Sequence, residues 1–152
     1  METQQGYKIQ NFRIQLVAEG EIEAFRLCGP EDVSRFAGEY AMSDREVFAC
    51  FHLDSKNRVI AKEVVSVGTL NQTLAHPREI FKAAIMNNSA AIILCHNHPS
   101  GNVEPSAQDN ALTKRMADAG KLLGIPVHDH VIVSPRGFYY AYSIAKPELL
   151  GP

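Results

Sequence analysis

Two histidines with one residue between them, followed after ten intervening residues by an aspartate, are the residues of this sequence best suited to chemistry. They are His96, His98 and Asp109, in the segment HNHPSGNVEPSAQD that spans 96–109. Side chains two apart on an extended strand project to the same side, and Pro99 restricts His98 to extended backbone. Two neutral imidazoles and one carboxylate suit zinc, and three protein ligands leave a fourth position open, the arrangement of a catalytic site rather than a closed structural one. Ser106 stands three residues before Asp109, which is also the spacing of a helix capping box. On spacing alone both readings stand. The pair caps a helix, with the histidines as polar residues closing a buried strand, or Asp109 completes a metal site with them.

These side chains need elements to carry them. The run Ala90 to Cys95 is short, continuous and apolar, as a central strand buried on both faces would be. His96 to Pro105 then reads as a loop rich in Pro and Gly, and Ser106 to Leu123 as a long helix ended by Gly124. Upstream, Tyr7 to Val17 and Ala24 to Cys28 read as strands. Pro30-Glu31-Asp32 opens a helix to about Tyr40, with proline and acids in its first turn. Glu46 to Leu53 and Arg58 to Val67 form a hairpin about the turn cluster Asp54 to Asn57. His76-Pro77 introduces a helix from Arg78 to Met86, whose Ile80, Phe81, Ala84 and Ile85 recur at helical spacing. Val127 to Val133 and Phe138 to Tyr142 are the last strands, around Ser134 to Gly137. Strands interleaved with helices predict an α/β (α+β) domain with a mixed sheet flanked by helices.

Composition narrows the function classes. The chain has 152 residues, of which 45% are hydrophobic and 21% charged, the proportions of a single soluble globular domain. Its polar start, METQQGYKIQ, lacks the apolar core of a signal peptide. The longest apolar run, Ala90 to Cys95, falls far short of the roughly 20 residues of a membrane-spanning helix. A cytoplasmic protein is expected, with no membrane partner. Cys28, Cys50 and Cys95 are scattered and odd in number, so they suggest neither a zinc ribbon nor a disulfide framework. Net charge is −2, from 15 basic and 17 acidic residues, and no basic cluster exceeds Lys114-Arg115. That balance does not support tight non-specific binding to DNA.

The pattern E…H-x-H-x(7)-S-x-x-D resembles the JAMM motif of MPN/JAB metalloproteases, deubiquitinating enzymes among them. HNHPSGNVEPSAQD resembles more closely the RadC-type branch of that superfamily, as do DREVF at 44–48, GTLNQTLAHPREIFKAA at 68–84 and LLGIPVHDHVIV at 122–133. The resemblance covers about Pro30 to Ser143. It implies a JAB/MPN (cytidine-deaminase-like) fold over residues 30–152, preceded by lead-in strands or an extension over 1–29. It also implies one zinc ion on His96, His98 and Asp109, and a hydrolase acting on a peptide or isopeptide bond. In that scheme Glu46 is the general base that takes a proton from water and passes it to the leaving amine. Ser106 donates a hydrogen bond to the oxyanion. Read by itself, Glu46 is a solvated strand-end carboxylate paired with Arg45, and only the resemblance assigns it to the reaction.

Two departures from the wider superfamily stand out. Asn97 separates the histidines where deubiquitinating members carry Ser or Thr, as it does in RadC-type proteins. Longer RadC proteins also carry a helix-hairpin-helix module, and this chain resembles the short form without it. The letters HNH do not make an HNH nuclease, whose three residues are dispersed over a ββα-metal motif. The remaining histidines carry weaker expectations: His128 and His130 share a strand face and are more often core or edge residues than ligands. Tyr139-Tyr140 reads as sheet packing. Three functions compete: a zinc amide hydrolase with a protein or peptide substrate, a DNA-associated repair or accessory protein suggested by the RadC resemblance alone, and a metal-stabilised binding module that cleaves nothing. Gly68 to His76 and Pro99 to Pro105 are the loops from which specificity would come.

Overall fold

A computed structural model of the chain describes residues 6, 8–21, 26–68 and 76–151. Strand β1 (Val47–Leu53) is buried at every position, as its predominantly apolar sequence requires, with His52 enclosed among the apolar residues. It pairs antiparallel with β2 (Val59–Val67) on one side and with β3 (Ala91–Asn97) on the other. Strand β4 (Val127–Val133) lies parallel to β3, and β5 (Tyr139–Ala141) closes the sheet antiparallel to β4. The sheet is five-stranded and mixed, in the order β2-β1-β3-β4-β5.

Strand alternation sends residues of β1 and β3 to two separate cores. On one face Val47, Ala49, Phe51, Ile93 and Cys95 pack with Val33, Ala37 and Tyr40. Val33 belongs to helix α1 (Pro30–Phe36), Tyr40 to α2 (Gly38–Ala41), and Ala37 is the junction between them. On the other face Phe48, Cys50, Ile92 and Leu94 pack with Ile80, Phe81, Leu112 and Met116. These belong to α3 (Pro77–Met86) and α4 (Ala107–Leu123). Because β3 and β4 are parallel, the link between them must cross over the sheet, and α4 makes that crossing. Gly120 lets it lie close: a Cβ there would meet the Ile125 carbonyl oxygen at 2.5 Å and Phe81 Cζ at 3.1 Å. The chain ends in α5 (Tyr142–Ala145) and a 3₁₀ turn (Pro147–Leu149).

Four expectations need correction. Residues 8–21 form no strand; they run exposed, with Ile9, Phe12, Ile14, Leu16 and Val17 facing solvent, and no strand among the described residues pairs with them. Tyr7 lies outside the described residues. The strand expected over Ala24 to Cys28 reduces to one bridge between Arg26 and Arg58, with residues 22–25 outside the described residues. The helix from Pro30 divides at Ala37, whose backbone leaves the helical region (φ −86°, ψ 9°) ahead of Gly38. Finally β3 continues through His96 and Asn97, which were read as loop, since both stay in register with β4.

Candidate metal centre

His96 occupies the last turn outward of β3 on the α3/α4 face, opposite Phe48 of β1 and beside Ile132 of β4. Its ring is buried, stacked on Phe48 with centroids 6.0 Å apart. His98 follows just beyond the strand, and its backbone N–H still donates to the Val133 carbonyl at 3.0 Å. Asp109 reaches them from α4. Ser106 is the N-cap of that helix: its Oγ accepts from the Asp109 N–H at 3.1 Å, while its own N–H donates to Asp109 Oδ2 at 2.8 Å. The capping box and the metal cluster are therefore one arrangement. The cap holds the carboxylate at the angle from which it meets both imidazoles.

The three side chains converge, each imidazole meeting a different oxygen of the Asp109 carboxylate. His96 Nε2 lies 3.1 Å from His98 Nε2 and 3.3 Å from Asp109 Oδ1, and His98 Nε2 lies 3.2 Å from Asp109 Oδ2. Ligands at 2.0–2.1 Å from a tetrahedral zinc are separated by about 3.3 Å, a spacing close to that between the two imidazoles and between each imidazole and its nearer carboxylate oxygen. It is a group able to hold a metal, among the described residues. Burial works to raise the Asp109 pKa, but hydrogen bonds from His96 and His98 outweigh it and hold the carboxyl well below its usual range. The bond to Asp109 raises the His98 pKa against desolvation, helped by the Asn102 carbonyl. The charge of Glu46 adds to that rise. The concentration of negative charge suits a cation.

Glu46 sits one residue before β1. Phe48 pairs with His96, so two residues further along the same antiparallel register Glu46 lies level with His98. Residues 46 and 48 share a strand face, which is the face of the metal ligands. Asn97 points the other way, as alternation predicts. Its Oδ1 accepts from the Val47 N–H at 2.6 Å and its Nδ2 donates to the Arg45 carbonyl at 2.9 Å. The carboxylate residue is thus bracketed on both sides by the asparagine between the two histidines.

The sequence reading undervalued His130 and missed Thr113. His130 is fully buried, with Nε2 2.7 Å from His96 Nδ1 and Nδ1 2.6 Å from Thr113 Oγ1. Burial pushes its pKa well below the ordinary histidine value, and the neighbouring His96 adds to this. The neutral ring is therefore the form present at pH 7. His128 does not share its face: a register shift between Ile92 and Ile93 leaves His128 exposed while His130 turns inward. Plain alternation hid that bulge. His76 caps α3, accepting from the Arg78 N–H at 3.2 Å, and His52 is buried at the opposite end of β1. Tyr140 packs edge-on against Tyr142, as expected for sheet packing. Residues 69–75 of the proposed specificity loop lie outside the described residues.

Comparison with known proteins agrees with the geometry. The sequence profile of the RadC-like JAB domain matches residues 27–149. A UPF0758 protein of Halalkalibacterium halodurans is 44% identical over 119 residues, covering 78% of this chain and 51% of that protein. One from Rubrobacter xylanophilus is 50% identical over 114 residues, covering 74% and 50%. One from the archaeon Methanosarcina barkeri is 45% identical over 109 residues, covering 71% and 48%. The chain thus matches about half the length of these relatives. Among the described residues no helix is long and apolar enough to cross a membrane.

Proposed function

The chain belongs to the RadC-like JAB domain family, and on that footing we propose that it is a zinc-dependent hydrolase of the JAMM type cleaving a peptide or isopeptide bond. The convergence of His96 Nε2, His98 Nε2 and the Asp109 carboxylate, at 3.1–3.3 Å from one another, is the observation that carries this reading. Zinc bound there would polarise a carbonyl and lower the pKa of water to about 7. Glu46, level with His98 on the ligand face, takes the proton from the attacking water and returns it to the leaving amine. Ser106 accepts from Asp109 N–H through oxygen and so keeps its hydroxyl proton. That proton is donated to the oxyanion, an interaction worth about 3–4 kcal/mol.

Elemental analysis of protein purified without added metal is the first test, on wild type and on His98→Ala. One equivalent of zinc in wild type, largely lost from the variant, supports the site. Failure of wild type to bind zinc, iron or manganese on reconstitution overturns the hydrolase reading. With the metal in place, Glu46→Gln separates enzyme from binding module: full cleavage by that variant on an amide substrate would refute the mechanism.

A further inference from the structure

The two histidine ligands differ in what faces their other ring nitrogen. His98 Nδ1 lies 2.7 Å from the Asn102 carbonyl, an oxygen that can only accept. His98 therefore carries a proton on Nδ1, which leaves Nε2, the nitrogen beside Asp109, as the one a metal would take. His96 has no carbonyl there. Its Nδ1 meets His130 Nε2 at 2.7 Å, and an imidazole nitrogen can take either role.

We propose that His130, held by Thr113, is a positioning residue that fixes His96 in the tautomer carrying its proton on Nδ1, and so presents the His96 Nε2 lone pair to the metal. The inference rests on the metal-site reading above and adds two residues to it.

The proton count along the chain gives the argument. For His96 Nε2 to ligate, the neutral ring holds its proton on Nδ1 and donates to His130 Nε2. A neutral His130 then carries its own proton on Nδ1, 2.6 Å from Thr113 Oγ1, which must accept. The Thr113 hydroxyl proton is left for the Asp109 carbonyl, 2.8 Å away. Each bond receives one proton, and each distance is short enough for a good hydrogen bond. In the reverse order Thr113 donates to His130, His130 Nε2–H donates to His96 Nδ1, and His96 is left with a proton on Nε2. That proton closes the position the metal needs, and the Thr113 hydroxyl bond to Asp109 is lost.

Burial makes the choice consequential. His130 and Thr113 are fully enclosed and His96 nearly so, so each finds its partner within the chain. The His130 ring plane is set by packing: it stacks on Tyr142 with centroids 5.1 Å apart and meets the edge of Phe48 at 5.8 Å. The path leaves one ligand on β3, crosses β4 and returns through α4 to the backbone of another ligand, Asp109. Partners of this kind commonly change metal affinity by about 10–100-fold when removed.

Thr113→Val keeps the shape of the side chain and removes the acceptor; Thr113→Ser restores it. Zinc affinity, measured by competition with a chromophoric chelator, should fall about tenfold or more in Thr113→Val and return in Thr113→Ser. Imidazole ¹⁵N spectra of the zinc-loaded wild type should show His96 and His130 both protonated on Nδ1, which decides the matter even if Thr113→Val fails to fold. Wild-type zinc affinity in a folded Thr113→Val, or a His130 proton on Nε2 in the loaded protein, would overturn the proposal while leaving the metal site intact. A wild type that binds no zinc would instead remove the underlying reading, and this inference with it.

Discussion

Asn97 joins Val47 as a peptide group would, its Oδ1 accepting from the Val47 N–H at 2.6 Å while its Nδ2 donates to Arg45. Where β1 and β3 stop pairing through their backbones, a side-chain amide continues the contact and holds the entry to β1. Truncation in Asn97→Ala leaves a buried N–H and a carbonyl to be resatisfied, at about 1–3 kcal/mol each. We expect a lower denaturation midpoint for Asn97→Ala together with retained zinc, since neither ligand nor ligand partner is removed. Loss of zinc equal to that of His98→Ala would show that Asn97 acts on the metal site itself.

Ser106→Ala separates capping from chemistry. The lost cap should cost about 1 kcal/mol of stability. Asp109 keeps its hydrogen bond from the Ser106 backbone N–H, which the substitution does not touch, so zinc should remain bound. On an amide substrate, turnover should nevertheless fall about 10²–10³-fold. A fall no larger than the stability loss explains would remove Ser106 from the reaction.

His52 makes the fold sensitive to acid. Its Nδ1 faces the Asn87 amide nitrogen at 3.2 Å and so accepts, which places the proton on Nε2, an atom without a hydrogen-bond partner among the described residues. Desolvation lowers its pKa from 6.5 to about 4. A histidine depressed on folding stabilises fully above its unfolded pKa, and that contribution is lost as pH falls from about 6.5 toward about 4. The loss amounts to at most about 3 kcal/mol. His130 acts in the same direction and His98, whose pKa is raised, in the opposite one. Urea midpoints of the metal-free protein at pH 7 and pH 5 should show the decline, and His52→Gln should flatten it. An unchanged slope in the variant would assign the acid sensitivity elsewhere.

Gly120→Ala sets two effects against each other. Alanine favours a helix interior over glycine by about 1 kcal/mol. The added carbon, however, would lie 2.5 Å from the Ile125 carbonyl oxygen, and overpacking of this sort costs about 1–3 kcal/mol. Backbone cannot turn aside as a side chain can, so a net loss is expected in the denaturation midpoint. A gain would mean that the α4-to-β4 connection relaxes.

The candidate metal ligands were legible because they lie in one short stretch where strand alternation and helix spacing act locally. His96, His98, Ser106 and Asp109 needed only a strand, a turn and a helix start, and Pro99, Ser106 and Gly124 mark those boundaries. Glu46 was not legible from its own surroundings. A carboxylate ahead of an apolar strand is ordinary, and only the JAMM resemblance singled it out before β1 was known to pair with β3. His130 escaped because a bulge reversed the facing of His128. Thr113 escaped because a threonine inside an amphipathic helix gives no sign of what lies across from it. The strand expected over Tyr7 to Val17 is absent from residues 8–17. There the alternation of Phe12, Ile14 and Leu16 has the period of a strand but no partner among the described residues, and a strand is a relation between segments.

The consecutive segment from Ala91 to Val133 carries all three ligands, with Thr113 and His130 behind them. Glu46 comes from the start of a different strand, far upstream. Inheritance can therefore act on the two parts separately. On the proposed mechanism, a lineage that exchanges residue 46 would lose proton transfer while keeping His96, His98 and Asp109, so its descendants would remain folded, loaded and inert. Among relatives, then, the identity at position 46, rather than the presence of the histidines, would distinguish working members from silent ones.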